Sequence, residues 1–138
     1  MTPKRLSTAK ENPASAGYFL QKADEMRRSA TDNVLARRWN AATSDGIRAG
    51  MLCADAVLVF RRGLRSKSPR HEDAVELLHR EFGAEVRREC TILSRLINRK
   101  HAIDYEARLA TEREAIDTLE KAETLYTWAS GIVQTRLP

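Results

Sequence analysis

Residues 40–62 read NAATSDGIRAGMLCADAVLVFRR. Ala42, Ile47, Met51, Ala54 and Leu58 recur at helical spacing, and Cys53, Val57 and Phe60 widen the stripe. A helix apolar over so much of its girth belongs at the centre of a bundle. Gly46, Ala49 and Gly50 are small, and glycine costs helix propensity. Their use predicts a neighbouring helix packed closely against them. Asp55 stands alone in this apolar run, where a buried unpaired carboxylate is costly. It is expected to act as a structural polar bridge to a cation, a hydroxyl or water.

The flanks read as further helices. Upstream, Ser15 looks like an N-cap. After it, Ala16, Phe19, Leu20, Ala23, Met26, Ala30 and Val34 form one apolar face. The stretch Ala36-Arg-Arg-Trp39 breaks that pattern and predicts a turn. Downstream, GLRSKSPR (residues 63–70) is a basic loop, with Ser68-Pro69 opening a third helix that Gly83 ends. Val86, Cys90, Leu93 and Ile97 mark a fourth helix over about residues 84–103. Thr111-Glu-Arg-Glu114 is a capping box that begins the last helix. The expected fold is all-α, an up-and-down bundle of about five helices with short antiparallel connections. One domain spans residues 15–138, and residues 1–14 are expected to be a disordered basic arm. Helix two is apolar on more sides than one bundle interior requires, which predicts a homodimer.

Composition narrows the function classes. The chain has 138 residues, 24 basic against 19 acidic, for a net charge of +5 and a pI of about 9.6. That charge suits an acidic partner such as nucleic acid, although both signs are interspersed along the chain. Cys53 and Cys90 sit in apolar helical runs and form no disulfide framework. The first residues, MTPKRLSTAKENP, lack the apolar core of a secretory signal, and no apolar run is long enough to span a membrane. A cytoplasmic location is expected. His71, His79 and His101 are dispersed and there is no Cys-x-x-Cys pair, so neither a metal site nor a cofactor is expected.

Three segments in order resemble the HEPN superfamily, in particular its small stand-alone bacterial members. They are Trp39-Asn-Ala-Ala42 with Gly46 to Val57, then Arg65-Ser-Lys-Ser-Pro-Arg-His71 with Ala74 to Leu78, then Leu96-Ile-Asn-Arg-Lys-His-Ala-Ile-Asp-Tyr105. The resemblance covers roughly residues 15–135. It implies a dimerising helical bundle with RNA-related work, in a toxin–antitoxin or defence setting. Many members cut RNA without a metal; others partner a nucleotidyltransferase or have lost activity. The family's catalytic motif is an Arg, four to six residues, then a His near the end of the fourth helix. Arg95 with His101 fits that spacing. A second register puts Arg99 or Lys100 at the Arg position and Asp104 at the His position, which degrades the motif.

The chemistry of such a site is specific. Metal-free RNA cleavage needs a group to take the 2′-hydroxyl proton and a cation for the charge on the phosphorane. Imidazole is the side chain that titrates nearest neutrality, so His101 suits the first role. Arg95, Arg99 or Lys100 suits the second. On a continuous helix Asp104 and Tyr105 lie three and four residues beyond His101, where they would orient it. A plain surface pair between His101 and Asp104 is the structural alternative. Arg61, Arg62, Arg65, Lys67 and Arg70 form the candidate nucleic-acid contact, with a solvated loop as its alternative. His71 is expected to be structural. Trp39 and Trp128 are expected in packing rather than in base stacking. The expected function is RNA association, with metal-independent endoribonuclease activity uncertain. The rival is an inactive helical dimer that serves as a protein-interaction module, with a cognate antitoxin as one candidate partner.

Overall fold

The first helix does not open the ordered chain. In a computed structural model, which describes residues 5–133, Thr8–Lys10 (β1) pairs antiparallel with Leu64–Ser66 (β2), Ala9 opposite Arg65. The Glu11 N–H donates to the Gly63 carbonyl at 2.8 Å and the Lys67 N–H to Ser7 at 3.1 Å. The stretch expected to be a disordered arm is therefore paired over residues 8–10. Residues 1–4 of that expected arm, and residues 134–138, lie outside the described residues. The ladder starts at Gly63, whose φ of 62° ends the second helix in the left-handed region. A side chain there would be strained and would meet the Glu11 carbonyl.

The remaining elements are all helices, as expected of an all-α chain. After a 3-10 turn at Pro13–Ser15, α1 covers Ala16–Leu35 and α2 covers Trp39–Arg62. Ser15 makes no side-chain cap; Asn12 does that work, accepting from the Ala14 N–H at 2.9 Å. α3 runs Glu72–Phe82, starting later than Ser68-Pro69 suggested. Ser68 instead fixes the approach, its hydroxyl accepting from the Arg70 N–H and donating to buried Asp73 at 2.7 Å. A 3-10 turn at Gly83–Val86 leads into α4, Arg87–Tyr105, and α5 covers Glu112–Ile132. The capping box at Thr111 and Glu114 forms with both of its hydrogen bonds.

α2 is the axis. It touches α1, α3, α4 and α5, and Leu58, Val57, Cys53 and Ala49 on it are almost wholly buried. A methyl group added at Gly46 would lie 2.7 Å from Thr118 Cγ2 on α5, and one at Gly50 would lie 2.6 Å from Leu96 Cδ1 on α4. The small residues thus serve close helix packing, as the sequence predicts. Most of the apolar girth of α2 is buried inside one chain, while Phe60 stays exposed.

Cys53 is fully buried, and burial pushes its thiol up to about 12, which makes it inert packing. Trp128 packs against the core from a half-buried position, and Trp39 is half-buried with Arg37 over its ring at 5.6 Å. Among the described residues, no helix is long and apolar enough to cross a membrane.

Candidate functional site

α4 continues unbroken past Arg99, which sets His101, Asp104 and Tyr105 on one helical surface. They do not form the expected set. His101 Nε2 lies 2.7 Å from Oε1 of Glu72, in the first turn of α3, and its ring stacks on Tyr105 with centroids 6.1 Å apart. Asp104 is taken by Lys100, one turn back on α4. Glu72 supplies a partner for the imidazole from another helix. The Glu72 carboxyl is held below its ordinary range by a hydrogen bond from its own backbone N–H and then by His101.

The arginines of the motif also go elsewhere. Arg99 donates to Asp117 Oδ2 at 2.8 Å and to the hydroxyl of buried Thr118 at 2.9 Å, so it ties α4 to α5. Arg95 lines a shallow open groove with Asn98, Glu114, Asp117 and Lys121. Neither guanidinium is brought to His101. The expected catalytic group is therefore divided: His101 and Tyr105 stand with Glu72, while Arg95 and Arg99 face α5.

The basic loop divides as well. Arg62 donates to the Glu81 carboxylate at 3.1 Å and covers the Phe82 ring at 4.7 Å, beside the end of α3. Arg61 is exposed next to it. Arg65, Lys67 and Arg70, by contrast, line one cavity of about 340 Å³ together with Asp55 and His71. Arg65 is braced by the N-terminal segment, its Nε donating to Glu11 Oε1 at 2.9 Å. The β1–β2 ladder thus fixes the strand that carries Arg65, and Lys67 and Arg70 follow in the turn after it.

A second cavity of about 230 Å³ adjoins the first, sharing Met51 and His71 with it. Ile47, Met51 and Ile103 give it an apolar lining, while Arg48, Lys100 and Asp104 are its charged members. The two make one trough along the side of α2 that carries Arg48, Met51 and Asp55.

Asp55 is the buried-side carboxyl of this trough. Burial pushes its carboxyl up to about 6, against the pull of Arg65 and then Arg48. Among the described residues none hydrogen-bonds to it, and the cations that act on it are Arg65 and Arg48. Asp55 is part of the cavity lining. His71, expected to be structural, is half-buried at the junction of the two cavities.

Sequence reasoning missed two residues. Arg48 stands seven residues before Asp55, two helical turns away on the same face, a spacing that was readable. Glu72 lies 29 residues from His101, and no local pattern announces that contact. Among the described residues, no group of three His, Cys, Asp or Glu side chains is placed to hold a metal ion. No family model matches the sequence, and no curated protein is significantly similar to it.

Proposed function

We propose that this chain is an RNA-associated helical protein of HEPN type that meets the RNA backbone with the turn between α2 and α3. One observation carries this: Arg65, Lys67 and Arg70 converge on a single cavity with His71, with Arg48 further along the same trough. Scattered surface cations do not do this, and phosphate contacts from Lys and Arg supply most of the affinity of sequence-independent nucleic-acid binding. The HEPN reading rests on the resemblance. So do pairing with a second copy, a cognate antitoxin or nucleotidyltransferase as partner, and a cytoplasmic toxin–antitoxin or defence role.

The test is fluorescence anisotropy with a labelled single-stranded RNA, with salt raised from about 50 to 200 mM. Affinity should fall steeply, and replacing Arg65, Lys67 and Arg70 together by Gln should lower the logarithmic salt slope by about 2, at ~0.7 per phosphate on single strands. Absence of binding at the lowest salt, or an unchanged slope in the triple variant, overturns the proposal.

Metal-independent RNA cleavage is the narrower form of this reading. Its support is that Glu72 holds one imidazole nitrogen of His101 and Tyr105 backs the ring, which are orienting contacts for a proton-transfer group. Cleavage should then persist in EDTA, leave cyclic or 3′-phosphate ends, and fall by ~10²–10⁴ in His101→Ala. Cleavage that survives His101→Ala removes His101 from the role. The rival interaction module is favoured by Tyr105, 82% exposed, and Leu109, 75% exposed, beyond His101. A preparation that neither binds nor cuts RNA but runs at dimer mass in light scattering supports that module.

A further inference from the structure

The trough beside α2 holds two compartments of different chemistry, joined at Met51 and His71. One is about 230 Å³ with an apolar lining from Ile47, Met51 and Ile103, a surface suited to the face of a base. The other is about 340 Å³ and is lined by three cations, Arg65, Lys67 and Arg70, together with Asp55. A site for phosphate alone has no use for a carboxylate, which repels it. A site for an apolar ligand has no use for either. A ligand that satisfies both carries a phosphate for the cations and, beside it, a hydroxyl to donate to the carboxylate. Ribose phosphate is such a group, and an acidic side chain that takes a ribose hydroxyl is a recurring solution in nucleotide sites.

We propose that Asp55 reads the 2′-hydroxyl of one RNA nucleotide, whose base lies over Met51 and Ile103 and whose phosphate is held by Arg65, Lys67 and Arg70. This rests on the RNA reading above and adds to it how the protein tells RNA from DNA. The 2′-hydroxyl is the group that separates the two at a given position.

Three facts support it. The Asp55 carboxyl has no hydrogen-bond partner among the described residues, so its acceptor capacity is free for a ligand. The groups that face it from the packed elements are Arg48 on α2, Arg65 on β2 and Glu11 from the N-terminal segment, with Lys67, Arg70 and His71 around the cavity. Its burial raises the carboxyl to about 6, so it is ionised and accepting at pH 7.5. A site built to hydrogen-bond a hydroxyl rejects the analogue that lacks it, because the buried polar group is then left unpaired.

The experiment compares a single-stranded RNA with the DNA of the same base order, by anisotropy at pH 7.5 and low salt, for wild type and Asp55→Asn. Helical circular dichroism of the variant checks that it folds. The wild type is expected to prefer RNA by about tenfold or more, the scale of a hydrogen bond to a charged group. In Asp55→Asn the two strands should bind within about twofold of each other, while the salt dependence remains. Adenosine 5′-monophosphate and its 2′-deoxy analogue, added as competitors, distinguish the source. Displacement by the ribonucleotide at lower concentration than by the deoxy compound supports the same chemistry with a free nucleotide. Competition by neither, with RNA preference intact, supports a strand. Equal binding of RNA and DNA by the wild type overturns the inference and leaves the RNA reading standing, and this arm does not depend on the variant folding. RNA preference that survives in Asp55→Asn also overturns it. Failure of both strands to bind overturns both proposals.

Discussion

Along α2, the side that carries Gly46 and Gly50 meets α5 and α4 at distances that leave no room for a methyl group. The side that carries Arg48, Met51 and Asp55 borders an open trough. On the closed side, polar groups are spoken for: Thr43 donates to the Trp39 carbonyl at 2.8 Å, and Thr118 accepts from Arg99 at 2.9 Å. On the open side the half-buried Asp55 carboxyl has no hydrogen-bond partner among the described residues. One helix therefore does two jobs. The difference teaches that a lone acidic residue in an apolar helix is better read by the company on its own face than by the helix as a whole.

The sharpest way to break this comparison is to remove equal volumes from the two sides. Leu96 is fully buried against Gly50 on the closed side, and Leu96→Ala should cost about 2–5 kcal/mol in denaturant unfolding. Met51 is half-buried and borders both cavities, so Met51→Ala loses less packing and should cost about 1 kcal/mol. Equal losses at the two positions would show that the trough side is as tightly packed as the core.

Asp55→Asn sharpens the contrast with the opposite sign. The folded carboxyl titrates at about 6 where an ordinary one titrates at 3.8. Between those values the folded chain keeps a proton that the unfolded chain releases. Stability thus falls as pH rises through that window and is flat above it. The full penalty at pH 7.5 is up to about 3 kcal/mol, from ~1.4 kcal/mol per pKa unit. Asp55→Asn removes the charge at nearly constant shape, so it should raise the melting temperature at pH 7.5 and leave it unchanged below pH 4. A lower melting temperature at pH 7.5 would mean that the carboxylate is already well partnered. Asp55 thus gives up stability where local pattern alone would place an apolar side chain.

The closed side was legible in the sequence and the open side only in part. All-round apolarity put α2 at the centre, and Gly46 and Gly50 announced close packing, because both follow from local pattern. The capping box was legible for the same reason. The β1–β2 ladder was not: its strands are three residues each, show no alternation, and pair positions more than fifty residues apart, as in Ala9 with Arg65. Asp55 stood out as an anomaly, but that it lacks a partner depends on where Arg65 and Arg48 end up. His101 was misassigned its partner for a physical reason. Spacing along α4 allowed Asp104, but Lys100 competes for that carboxylate and Glu72 arrives from α3, a contact no helix period encodes.

The smallest effect tests whether the two sides are energetically separate. Thr111 caps α5, the helix whose Thr118 meets Gly46 on the closed side. Its hydroxyl accepts from the Glu114 N–H at 3.1 Å, and Glu114 answers to the Thr111 N–H at 3.0 Å. Arg108 grips the Glu114 carboxylate with two bonds, at 2.7 and 2.9 Å, and this contact above all holds that carboxyl down at about 2. A depressed carboxyl contributes stability above its unfolded value of 4.5 and loses it as pH falls toward 2, though the gain is modest for a pair this close to solvent. Thr111→Ala should therefore cost about 1 kcal/mol in denaturant unfolding at pH 7. If the closed side only builds the frame, RNA affinity at fixed salt should stay within about twofold of wild type, because Arg65, Lys67, Arg70 and Asp55 are carried by other elements. A variant that loses RNA affinity in step with stability, while still fully folded, would show that the start of α5 is coupled to the trough and that the two sides of α2 do not work apart.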